Sequence, residues 1–176
     1  MWSSNLLAQP LVRLIAALLV TLAGSQFAGC GFQLRGAATF PFTSIHLLTG
    51  TPLLAELSRN IANGSNAKVV ANIDDAQARF VLLGEAREKI ILSLSTQGRV
   101  REFQLRYRVV YRVHDGKGGE FQRSSEIVLR RDISFNDDVL GKESEEELLF
   151  REMRADMVNQ IIRRLQAAKL RQPDDD

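Results

Sequence analysis

The residues able to do chemistry in this sequence are few and far apart: one thiol, Cys30, and two imidazoles, His46 and His114. An enzyme site needs a nucleophile, a base and a group that orients the base, or a set of metal ligands, within reach of one another. His114 lies in a Gly-rich turn and His46 in an expected strand, and no H-E-x-x-H, C-x-x-C, G-x-S-x-G or phosphate-loop spacing occurs. The acidic runs Asp74-Asp75, Asp137-Asp138 and Glu145-Glu146-Glu147 could pair as carboxylates or bind a metal. Loop solvation and helix capping account for them more simply. The expectation is a protein that is not an enzyme, with no catalytic residue, no metal and no cofactor.

The use of Cys30 follows from what precedes it. Arg13 is the only side-chain charge before Arg35, and an uncharged run of ten residues, apolar but for Thr21, follows it from Leu14 to Ala23. At about 1.5 Å per residue that run is roughly half of what spans a hydrocarbon core of about 30 Å, so it fits an export signal rather than a permanent span. A buried core helix is the alternative, but this one would have no polar face. The run ends in Phe27-Ala28-Gly29-Cys30, which resembles the lipobox cut by lipoprotein signal peptidase. The resemblance implies a diacylated Cys30 and cleavage between Gly29 and Cys30, with Phe27 standing where such sites carry an aliphatic residue. A lone cysteine also cannot form an intramolecular disulfide in an exported chain. Each buried acyl CH₂ contributes about 0.8 kcal/mol, so two or three chains, palmitate among them, anchor a protein without a transmembrane helix. Gly31 rather than Asp after the cysteine resembles the sorting signal for the outer membrane of Gram-negative bacteria, with a periplasm-facing lipid anchor.

Without the signal, 22 basic residues face 21 acidic ones, a balance that gives no electrostatic reason to bind nucleic acid. Of the 23 basic residues in the whole chain, 18 are Arg. Arg reads phosphate and carboxylate through a planar fork, although an Arg-rich genome gives the same skew.

The elements that must carry these arginines are legible from periodicity. Residues 43–48 read as a first strand. Thr51 caps a helix that Pro52 opens, with Leu53, Leu54, Leu57 and Ile61 as its apolar stripe and Asn63-Gly64 as its stop. Residues 68–70 suggest a second strand. The period then changes to two, giving long strands over 79–95, 99–113 and 119–135 with turns at Thr96-Gln97-Gly98 and at His114 to Gly118. In the middle one, Phe103, Leu105, Tyr107, Val109, Tyr111 and Val113 share one face, and Glu102, Gln104, Arg106, Arg108 and Arg112 share the other. Ser144 with Glu147 reads as a capping box before a helix striped by Phe150, Met153, Met157, Ile161 and Leu165. The predicted fold is therefore α/β of the α+β type. It is a two-layer sandwich in the order β-α-β-β-β-β-α, with a mostly antiparallel sheet and two helices on its dry face. The organisation is a signal peptide over 1–29, a lipidated connector over 30–42, a single domain over 43–171 and a polar tail over 172–176.

The segment Cys30-Gly31-Phe32-Gln33-Leu34-Arg35-Gly36 resembles the start of the mature lipopolysaccharide-assembly lipoproteins, the LptE family, and the order of elements agrees over the rest of the chain. A connector in which Phe32 and Leu34 pack down and Arg35-Gly36 turns would read the same way. The resemblance implies a non-catalytic plug inside the large outer-membrane β-barrel that exports lipopolysaccharide, paired 1:1 with it, assisting its assembly and binding lipopolysaccharide. The alternative is another outer-membrane lipoprotein, an auxiliary subunit of a lipid-transport or barrel-assembly complex. For the ligand, the expectation rests on hairpin register. If Val113 faces Gly119, then Arg112 faces Glu120, Arg106 faces Glu126 and Glu102 faces Arg130, while Arg108 meets only Ser124. Arg108 would then be free for a phosphate, with Arg106, Arg112 and Arg130 around it; a merely solvated sheet arginine is the plain alternative.

Overall fold

The computed structural model describes residues 36–134 and 142–172. The signal run, the Gly29–Cys30 cleavage site, Cys30 to Arg35, Asp137-Asp138 and the tail from Pro173 lie outside the described residues. From Ala37 onward the chain forms one compact unit. Its elements are β1 (Ser44–His46), α1 (Pro52–Gly64), β2 (Lys68–Val69), a 3₁₀ turn (Ile73–Asp75), β3 (Ala78–Leu94), β4 (Val100–His114), β5 (Glu120–Ser134) and α2 (Lys142–Ala167). This is the predicted order. The sheet runs β2-β1-β3-β4-β5. β1 is parallel to both β2 and β3, because α1 carries the chain back between β1 and β2, and the long meander β3-β4-β5 is antiparallel.

The helices form where expected. The Thr51 side chain accepts the Leu54 N–H at 3.3 Å, and Pro52 occupies the first turn, where its missing N–H costs nothing. Leu53, Leu57 and Ile61 of α1 meet Met153, Met157, Ile161 and Leu165 of α2, all without solvent exposure, over the inner face of β4, where Leu105, Tyr107, Val109, Tyr111 and Val113 are fully buried. Burial of each such side chain stabilises the fold by about 1.5–3 kcal/mol relative to exposure. Phe40 and Phe42 stack at 5.3 Å and are buried ahead of β1, so the last residues of the expected connector pack with the domain.

Two expectations need correction. α2 begins at Lys142, so Ser144 lies inside its first turn instead of capping it. Two of the three glutamates that follow do more than complement the helix dipole: Glu146 pairs with Lys89 and Glu147 with Arg87 at 3.6 Å, tying the helix start to β3. The second correction is the register of the β4-β5 hairpin. Its five-residue loop is residues 115–119, closed by Asp115, whose carboxylate accepts the N–H groups of Lys117 and Gly119 at 2.7 and 2.9 Å. Gly116 and Gly118 supply the positive φ that this loop requires. His114 therefore pairs with Glu120, irregularities follow at Val113 and again before Tyr111, and each lengthens the β5 side. By Tyr111 the pairing has slipped four residues from the expected one, with Tyr111 opposite Ser125.

Candidate functional site

The open face of the sheet carries the four candidate arginines. Strand alternation sends Arg106, Arg108 and Arg112 of β4 away from the helices, and Arg130 of β5 with them. In the observed register Arg106 lies directly opposite Arg130, Arg108 opposite Val128 and Val110 opposite Glu126. Glu102 meets Ser134 instead of Arg130. Arg106, Arg108 and Arg130 are thus brought together in the middle of the face, and Arg112 stands apart beyond Val110, opposite Val81 of β3.

The reading of Arg108 as the arginine without a carboxylate is overturned. Its Nη1 lies 3.7 Å from Glu126 Oε1, diagonally across the strand pair, because the slipped register moves Glu126 away from Arg106. Arg106 turns the other way and meets Glu88 of β3 at 3.6 Å. Neither Arg112 nor Arg130 has an ion pair among the described residues. Arg130 is the exposed cation that the register leaves beside another guanidinium, and the Arg106 Nε is buried without a hydrogen-bond partner among those residues. Sequence reasoning found the right strand faces but missed Glu88, whose pairing depends on a β3–β4 register that no local signal declares.

The patch offers guanidinium donors, the groups suited to phosphate or carboxylate. Its two carboxylates hold their arginines at 3.6 and 3.7 Å, longer than a good charged hydrogen bond, and the four side chains are 33% to 51% exposed. Exposed pairs of this kind contribute about 0–1 kcal/mol, so neither arginine is tightly held by its carboxylate. No group of three or more potential metal ligands occurs among the described residues.

The sequence profile of the LptE family, described as lipopolysaccharide-assembly, matches residues 38–165. This chain belongs to the LptE family. The matched span begins ahead of β1 and ends at Leu165, the last buried residue of α2, so it includes every strand that carries the arginine patch. The LPS-assembly lipoprotein LptE of Photorhabdus laumondii is 28% identical over 158 residues, covering 86% of this chain and 85% of the relative. That of Yersinia pestis is 30% identical over 157 residues, with 86% and 75% covered. Among solved structures, the solution structure of lipoprotein B from Nitrosomonas europaea is 40% identical and superposes with a TM-score of 0.68 over 78% of this chain and 91% of that one.

Proposed function

We propose that this LptE-family domain binds lipopolysaccharide without catalysis and sits, one copy per barrel, as a plug in the outer-membrane β-barrel that exports it, assisting the assembly of that barrel. Acylated Cys30, freed by cleavage between Gly29 and Cys30, anchors the domain to the outer membrane. The names of its relatives, LPS-assembly lipoproteins, support this reading. A barrel lumen is water-facing and polar, and the open sheet face with its Arg, Gln, Glu and Asp side chains suits it.

The observation that carries the reading is the juxtaposition of Arg106, Arg108 and Arg130 on that face. Lipopolysaccharide carries phosphates, and guanidinium groups on neighbouring strands can grip a phosphate from two directions. Arg112, one row away, contributes longer-range attraction. The test is lipopolysaccharide binding by the purified protein: Arg106→Ala and Arg130→Ala together should weaken it at least tenfold with unchanged folding, and Arg112→Ala by less. Equal losses at all positions would point to diffuse charge. For the plug, the measurement is co-purification with a large barrel protein in equal amounts.

A further inference from the structure

At the end of the sheet away from the β3–β4 turn, three strands bring both histidines of the domain to one arginine. His46 of β1 pairs with Arg79 of β3, and Arg79 pairs with His114 of β4, so the three form one row across the sheet. They line one open pocket of about 400 Å³ whose other walls include Leu48, Ile73 and Val81. Two of those residues present apolar surface to solvent: Leu48 is 71% and Ile73 42% exposed. The pocket is an apolar slot with a nitrogen-rich rim.

The polar groups of the rim are mainly donors. The His114 Nδ1 accepts the Gly116 N–H at 3.0 Å, which leaves the ring proton on Nε2. The Arg79 Nε is buried and has no hydrogen-bond partner among the described residues, and its Nη2 reaches only Asp74, at 3.8 Å, with that carboxylate 82% exposed. The Arg79 guanidinium lies over Gly116, where an added Cβ would be 2.5 Å from its Cζ and Nη1, and the φ of +78° at Gly116 favours glycine in that turn. A weakly paired cation beside exposed apolar walls matches a ligand with one anionic head and one hydrocarbon body.

We propose that this pocket binds a single-chain acyl carboxylate, with the chain along Leu48, Ile73 and Val81 and the head on Arg79 and His114. A peptide would bring amide N–H groups that need acceptors, which this rim hardly offers. Its volume is at the small end of the roughly 300–1,000 Å³ usual for ligand pockets, which suits one chain. Arg112 stands opposite the Val81 wall of this pocket, but Arg106, Arg108 and Arg130 lie farther along β4 and β5, and the proposal does not depend on lipopolysaccharide binding there.

The test uses the purified chain and decanoate, titrated below its micelle concentration and followed by the imidazole NMR signals of His46 and His114. Decanoate should bind saturably and shift both, with decanol and acetate each at least tenfold weaker. Leu48→Asp changes an exposed side chain and so spares the fold; it should lower decanoate affinity at least tenfold, as should Arg79→Gln. Arg108→Ala should leave decanoate binding unchanged while weakening lipopolysaccharide, which keeps the two readings apart. Decanol binding as tightly as decanoate, or wild-type binding by Leu48→Asp, would overturn the proposal.

Discussion

Arg154 of α2 donates through Nε to Glu56 Oε2 of α1 at 2.9 Å, with both side chains about four-fifths buried. It joins residues 98 apart in sequence across two helices whose apolar side chains share one core. Removing one partner leaves the other desolvated and unpaired, so Glu56→Ala should cost about 1–3 kcal/mol. Replacing both, as Glu56→Ala with Arg154→Met, should recover part of that loss. Urea unfolding of the two variants measures it; a double variant less stable than the single one would show that the pair is not a unit.

The α2 stripe makes a stronger demand. Met157 and Ile161 have no solvent exposure, and both face α1 and the sheet. Met157→Asp or Ile161→Asp places a carboxylate in the apolar core, a loss of several kcal/mol, on the order of half the stability of an ordinary domain. Thermal melting followed by circular dichroism should fall by more than ten degrees in each; wild-type melting in either would refute the helix packing.

These core positions were legible because they depend on one period and one element. Leu53, Leu57 and Ile61, or Met153, Met157 and Ile161, announce a buried face wherever the helix docks. The arginine site was legible by halves. Alternation alone assigned Arg106, Arg108 and Arg112 to the open face, but which group each one meets depends on counting residues across a turn. The irregularities next to Val113 change that count without changing any local pattern of apolar residues, so Arg130 arrives beside Arg106 instead of Glu102. The His46–Arg79–His114 row was not legible at all. It needs two strand registers at once, one of them parallel, across 68 positions of chain.

Cys30 should provide the membrane anchor. Cys30→Ala removes the acyl chains and blocks the expected cut before residue 30, so the variant should remain uncut or appear as a species without lipid. Membrane fractionation with high-salt washing, alongside metabolic labelling with palmitate, checks both points. Wild-type retention of an unlabelled variant in the outer-membrane fraction would mean that protein contacts alone hold it there.

The last prediction concerns acid stability and begins at His114. Burial, with the Arg112 and Arg79 charges nearby, holds its imidazole below the usual histidine value, and Asp115 and Glu120 only partly oppose this. The geometry needs the same neutral form, because protonating Nδ1 would end its bond from the Gly116 N–H. In the unfolded chain the ring titrates near about 6.5. The folded state therefore binds fewer protons than the unfolded one just below that pH, and the stability contributed by neutral His114 is complete above about 6.5 and lost as pH falls through the folded value. His114→Asn keeps a side-chain acceptor for Gly116 and removes the titration. Urea unfolding between about pH 7.5 and about pH 5 should show a decline in the wild type that is shallower in His114→Asn. Identical slopes in the two proteins would show that His114 does not carry the acid sensitivity of the fold.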